Sequence, residues 1–153
     1  MAPLSDAPTD PYPSRGVLHR REVNAAPACS LADIVEEYAA AYPDMAAAEY
    51  FGATYTYTAI DRWANRLANA LRARGAQQGD VIGLHLPNTP QYLISLIAAS
   101  KLGCPVTGIS PLLTAAEARH QINDAGVRHL LSLDRLYASA IQPSHGEFPH
   151  VRN

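Results

Sequence analysis

From Ser30 onward, stretches with apolar residues every three or four positions alternate with short apolar runs. The two patterns predict helices and strands in turn. Ser30 and Asp33 have the spacing of a capping box, with aspartate replacing the usual Glu or Gln. Leu31, Ile34, Val35, Tyr38 and Tyr42 follow at helical spacing, and Pro43 stops the helix. Met45 to Phe51 and Thr54 to Tyr57 flank Gly52-Ala53, which predicts a short hairpin. Thr58, with Asp61 three residues on, is expected to cap the next helix. Its buried stripe is Ile60, Ala64, Leu67, Ala68 and Leu71, its left-handed stop is Gly75, and Arg62, Arg66 and Arg72 fall on a solvated face.

The second half repeats the alternation. Val81 to Leu86, VIGLHL, is apolar on both alternating faces except for His85, as in a strand covered on both sides. Thr89 and Pro90 open a helix carrying Tyr92, Leu93, Leu96, Ile97 and Leu102 and ending at Gly103. Pro105 to Ile109 predicts a short strand, and Thr114 with Glu117 forms a capping box for a helix ending near Gly126. Arg128 to Leu133 reads as a further strand and Leu136 to Ile141 as the start of a last helix. Right-handed crossovers between such elements give an α/β fold, a mostly parallel sheet with helices on both faces. Before it, residues 1–28 hold Pro3, Pro8, Pro11, Pro13 and Pro27, which predicts a proline-rich extended arm or a disordered tail. The α/β unit is expected over 29–142. Residues 143–153 read as a tail in which Phe148, Pro149 and Val151 approach a strand that would lie beyond it, so the domain reads as cut.

Length changes this picture little: 153 residues suit one compact domain, with about 68–70% of the unfolded surface buried at this size. A formal net charge of -2, with no basic stripe beyond His19-Arg20-Arg21, argues against a nucleic-acid module. No apolar stretch is long enough to span a membrane, and the opening residues lack the basic start and apolar run of a signal peptide. The cytoplasm is therefore the expected location. Cys29 and Cys104 have no CxxC partner and read as small apolar filler.

Candidate chemistry is sparse. Neither GxGxxG nor GxxxxGK[ST] occurs, so no glycine-rich phosphate cradle is predicted. None of the six histidines falls at HxxxH or HExxH spacing, and His85, His120 and His129 could meet only through the fold, so no metal site is assigned. Ser95 and Ser100 sit on a helix and Ser110 in a loop, without a GxSxG elbow. The single lysine, Lys101, lies beside the helix stop Leu102-Gly103, where its charge favours the helix dipole. No catalytic residue is assigned.

Three segments, in order, carry a resemblance: TYTYTAIDRWANRLANALRARGAQQGDVIGLHLPNTPQY, LIAASKLGCPVTGISPLL and SPLLTAAEARHQINDAG. They resemble the amino-terminal part of the adenylate-forming (AMP-binding) acyl-CoA synthetase superfamily, and the third is similar to the form found in long-chain fatty acyl-CoA ligases. The Tyr12-Pro13 arm is also like those enzymes' amino ends, so the similarity runs from about Tyr12 to Phe148. Three departures touch one loop: Cys104-Pro105 replaces a small and an apolar residue, Ser110 a common asparagine, and Leu113 a frequent tyrosine.

The resemblance implies a two-step reaction. A carboxylate attacks the α-phosphate of Mg-ATP, giving an acyl-adenylate and pyrophosphate; the CoA thiol then displaces AMP. It implies ATP, Mg2+ and CoA as cofactors of a parent enzyme, with a fatty acid or other carboxylate as substrate. The family's phosphate loop, acidic magnesium ligand, ribose aspartate and mobile-domain lysine have no matching positions here and are expected beyond Asn153. This chain would then be an incomplete N-terminal subdomain, inactive alone and binding none of these cofactors tightly. Ser110-Pro111-Leu112 leaves the carboxyl end of a strand, where open α/β sheets bind ligands. In related acetate-activating enzymes the corresponding loop approaches the CoA nucleotide, which makes these three residues a candidate CoA-facing loop; a rigid structural turn is the alternative. Two other functions stay open: a standalone non-catalytic module that pairs through an exposed sheet edge, as a homodimer for instance, and an unrelated α/β ligand-binding domain.

Overall fold

The computed structural model describes residues 29–152. The proline-rich segment 1–28, with Tyr12-Pro13, lies outside the described residues. Helix α1 (Leu31–Ala41) begins at the expected capping box: the Ser30 hydroxyl accepts from the Asp33 N–H, and the Asp33 carboxylate accepts from the Ser30 N–H at 2.7 Å. Its buried face is not the expected stripe. Ala32 and Val35 are buried, while Leu31, Ile34, Tyr38 and Tyr42 remain exposed. The Ala32 N–H donates to the Ser100 hydroxyl at 3.1 Å, so the helix is turned to face its neighbour with a small residue.

Strands β1 (Ala46–Tyr50) and β2 (Ala53–Thr56) form a separate antiparallel hairpin. Its turn is Phe51-Gly52, one residue earlier than expected, with φ of 47° and 78°. Positive φ at both central residues is the geometry whose twist matches antiparallel strands. Helix α2 (Tyr57–Ala73) is capped by Thr56, whose hydroxyl accepts from the Ala59 N–H at 3.2 Å. Thr58, the expected cap, lies inside the first turn and donates to the Pro43 carbonyl at 2.9 Å. The stripe Ile60, Ala64, Ala68 and Leu71 is buried with Leu67 packed against it, and Gly75 ends the helix at φ 89°.

The central sheet contains β3 (Val81–His85), β4 (Val106–Gly108) and β5 (Val127–Ser132) in the order β4-β3-β5, all parallel. Helix α3 (Pro90–Leu102) joins β3 to β4, and α4 (Ala115–Asp124) joins β4 to β5. Alternation along β3 divides the core. Ile82 and Leu84 pack with Ile60, Ala64 and Ile97 under α1 to α3, while Ile109 and Val127 pack with Ala118 and Ile122 of α4. Helices thus cover both faces. Gly83 leaves room for this: a Cβ there would stand 3.0 Å from Ile109, Leu130 and Val127.

After β5 the expected helix breaks into a short α turn (Asp134–Leu136), a wider π turn (Tyr137–Ile141) and a 3-10 stretch (Gln142–Glu147). Pro143 lacks an N–H for a continuing ladder, which is one reason the helix tightens there. Phe148 is buried in the α4 cluster. No strand follows among the described residues, but the Arg152 N–H reaches the Arg128 carbonyl of β5 at 2.7 Å.

Candidate functional site

The carboxyl ends of β3 and β4 open into a cleft. Leu86-Pro87-Asn88 leaves β3, and Pro87 prevents the strand from continuing as a ladder. Thr89 then stands at the start of α3 with no side-chain capping bond, and its buried Oγ1 has no partner among the described residues. The chain leaving β4 is held more firmly. The Ile109 N–H donates to the Leu84 carbonyl at 2.9 Å and its side chain is buried. The Ser110 hydroxyl accepts from the Leu112 N–H at 3.2 Å, and the Ser110 carbonyl from the Leu113 N–H at 3.2 Å. This tight turn throws Leu112 outward, 94% exposed.

Ser110, Pro111 and Leu112 line one cavity of about 490 Å³ together with Asn88, Tyr92 and Gly108. A smaller cavity of about 230 Å³ adjoins it, sharing Asn88 and Tyr92 and reaching Tyr50 of the hairpin. Tyr92 divides the two. Its hydroxyl lies over Gly108, 2.9 Å from where a Cβ would stand. On the α4 side, Gln121 Nε2 donates to the Gly108 carbonyl at 2.8 Å, fixing the last residue of β4. Sequence reasoning put Tyr92 on a core stripe and gave Gly108 no role. The available signal was a glycine closing a strand that runs straight into a Ser-Pro turn.

No charged side chain lines the larger cavity. It can receive an uncharged group, apolar or flat, and it offers neither a cation for phosphate nor a carboxylate for magnesium.

Other titratable groups lie elsewhere. His85 is fully buried, with Nδ1 3.0 Å from the Ser132 hydroxyl and Nε2 unpartnered among the described residues. Burial pushes its pKa below the usual histidine value, so the ring is neutral. His129 is also buried, its Nε2 3.5 Å from Asp80, while His120 is exposed. Asp80 is held below the usual carboxylate range, chiefly by the Gln77 N–H, with His129 and Arg128 adding to it. Cys104 is buried with its thiol against the Gln77 carbonyl at 3.2 Å; burial pushes its pKa up, and Cys29 is exposed.

A still larger cavity, about 710 Å³, lies near the other end of the strands, beside Gln78, Gly103 and Lys101. Lys101 does more there than favour a dipole. Its side chain is 7% exposed, and Nζ bonds Glu36 of α1 and stands 2.8 Å from Asp61 of α2. Burial opposes its charge, but the two carboxylates outweigh burial and its pKa is raised. That charge is already spent on tying three helices together.

With this geometry in view, the sequence matches the family of AMP-binding enzymes over residues 35–152, and the chain belongs to that family. It is 35% identical over 113 residues to a long-chain-fatty-acid–CoA ligase of Bacillus subtilis, covering 74% of this chain and 20% of that protein. It is 33% identical over 91 residues to 4-coumarate–CoA ligase 2 of Petroselinum crispum, covering 60% and 16%. An anthranilate CoA ligase crystallised with anthranoyl-AMP has the same fold over 82% of this chain and 24% of its own, with a TM-score of 0.76 and 23% identity. The chain thus spans about a fifth of the length of the curated relatives it matches.

Proposed function

We propose that this chain forms part of the large domain of an ATP-dependent fatty acid–CoA ligase, and that Ser110-Pro111-Leu112 is its CoA-facing loop. The observation that carries the reading is the uncharged cleft at the carboxyl ends of β3 and β4, inside the stretch that matches the family. The segment's part in the reaction is to shape and line that cleft. Adenylation of the carboxylate, with Mg-ATP, belongs to other parts of the parent enzyme. The fatty-acid class is supported by the relatives in Bacillus and Escherichia, which are long-chain-fatty-acid–CoA ligases.

Three measurements test this. The isolated chain is expected to show no acyl-dependent pyrophosphate exchange; turnover by it would refute the division of labour. The gene product captured at native length is expected to form fatty acyl-CoA. In it, Leu112→Asp should raise the KM for CoA about tenfold, on the scale of losing one well-packed apolar contact, and leave the KM for ATP unchanged. An unchanged CoA KM would reduce the loop to a structural turn. A second reading, a non-catalytic module, is favoured by the exposed row Leu31, Ile34 and Tyr38 on α1 with Tyr42 just after it, which suits self-association. A sharp monomer over a wide concentration range in sedimentation would count against it.

A further inference from the structure

The cavity of about 710 Å³ beside Lys101 has no part in the proposed function, and internal contacts occupy only part of its lining. Lys101 and Glu36 are paired with each other, and the Asp33 carboxylate accepts the Ser30 N–H. The opposite wall is different. Asn69 and Arg72 of α2 and Gln78 of the turn after it are exposed and have no hydrogen-bond or ion-pair partner among the described residues. Asn65 uses its amide N–H on Asp61, at 2.9 Å, and keeps its carbonyl oxygen free. Asn65, Asn69 and Arg72 stand at i, i+4 and i+7, a row about 10 Å long down one face of α2. Side-chain amides both donate and accept, as the backbone of an extended chain requires.

Ser30 also lines this groove, one residue after the described chain begins, so the segment before it enters at the groove's mouth. Six uncharged residues, Val23 to Ala28, come first, four of them Ala or Pro and too small to need an apolar pocket. Six extended residues reach about 19 Å, more than the length of the row. Next comes Glu22, which can reach Arg72, the one charged group of the lining without a partner among the described residues. We propose that residues 22–28 of this chain lie in the groove as an extended strap, with their backbone on the amides of Asn65, Asn69 and Gln78 and the Glu22 carboxylate on Arg72. The strap crosses α1 to α3 away from the cleft and is independent of the CoA-facing loop.

Hydrogen exchange on the gene product at native length tests this. The amides of Val23, Asn24, Ala25, Ala26 and Ala28 are expected to exchange at least about tenfold more slowly than in a free peptide of residues 1–29. Arg72→Ala should lower that protection about two- to fivefold, the scale of one exposed ion pair, and Glu22→Gln should do the same. The two changes together should cost no more than either alone, because they remove one contact. Asn69→Ala combined with Gln78→Ala should lower it further. Arg72, Asn69 and Gln78 are exposed, so protection of β3 should stay at the wild-type level and report an intact fold. Arg72→Ala and Glu22→Gln decide the matter if the paired amide variant disturbs β3. Fast exchange at 23–28 in the wild-type protein overturns the proposal. So does protection that survives these variants, which would seat the segment elsewhere, against Leu31, Ile34 and Tyr38 for instance. Protection that rises with protein concentration would put a second copy's segment in the groove, and it overturns the proposal too.

Discussion

At the starts of the parallel strands charged side chains are paired with one another; at the ends of β3 and β4 the larger cavity has no charged lining. Lys101 lies between Glu36 and Asp61, and Asp80 accepts the Gln77 N–H while facing Arg128 and His129. The cleft at the other end has no charged lining and an almost fully exposed Leu112. The cavity of about 710 Å³ lies at the charged end. A buried charge needs its partner to exist at all, and a satisfied cluster has nothing left to offer a ligand. A group left open beside a cleft does.

The strongest way to break this contrast is to remove the lysine. Lys101→Met leaves Asp61, whose carboxylate is 21% exposed, without its counter-charge. A stability loss of about 3 kcal/mol is expected from breaking such a pair, read by chemical denaturation. Glu36→Gln should cost less than about 1 kcal/mol, because Glu36 is mostly in water. CoA binding, referred to the folded fraction, should not change in either variant. If Lys101→Met is neutral in stability but weakens the ligand, the two ends have been assigned the wrong way round.

Much of this was legible in the sequence because it is local. Both capping boxes, the glycine stops and the apolar runs of β3 and β5 depend on neighbours a few residues apart. Errors came where distant partners decide. Thr56 outcompetes Thr58 as a cap because the hairpin delivers β2 straight into the helix, and Thr58 finds the Pro43 carbonyl instead. Ala32 is buried and Leu31 is not because Ser100, far along the chain, sets the rotation of α1. The loop at Ser110 was legible from its position after a strand. Tyr92 packs on the core as its helical spacing predicts, and only the fold shows that it also lines the cleft.

An acid titration sharpens the comparison at intermediate scale. The Asp80 carboxyl is depressed by the Gln77 N–H first, then His129 and Arg128; those of Asp33 and Glu117 are depressed mainly by their capping N–H groups. A carboxyl with a lowered folded-state pKa contributes its stability above the unfolded value and loses it as pH falls through the folded one. Stability should therefore decline below the ordinary values, 4.5 for Glu117 and 3.8 for the two aspartates. Asp80→Asn should flatten part of that decline. Lys101 has the opposite sign: its raised pKa keeps its contribution up to the ordinary 10.5 and loses it above. The cleft lacks charge, so CoA affinity should stay flat across the neutral range in every variant. A step in affinity below the ordinary histidine value of 6.5 would point to His85 acting on the cleft.

The smallest effect concerns the hairpin beside the cleft. Phe51 has φ 47°, a left-handed conformation that side chains other than Asn and Asp rarely adopt. It is 93% exposed, so its ring contributes almost no burial and only an edge contact to Tyr50, with centroids 4.5 Å apart. Phe51→Asn should then stabilise the hairpin by about 0.5–1 kcal/mol, measured as a higher denaturation midpoint. Lower stability would mean that the Tyr50 contact outweighs the backbone strain. Ligand affinity decides the rest, because Tyr50 lines the smaller cavity. If stability rises and CoA binding weakens, the strain is kept for the cleft, as expected where a costly conformation serves a site. If both rise, Phe51 is only a tolerated residue in a tight turn.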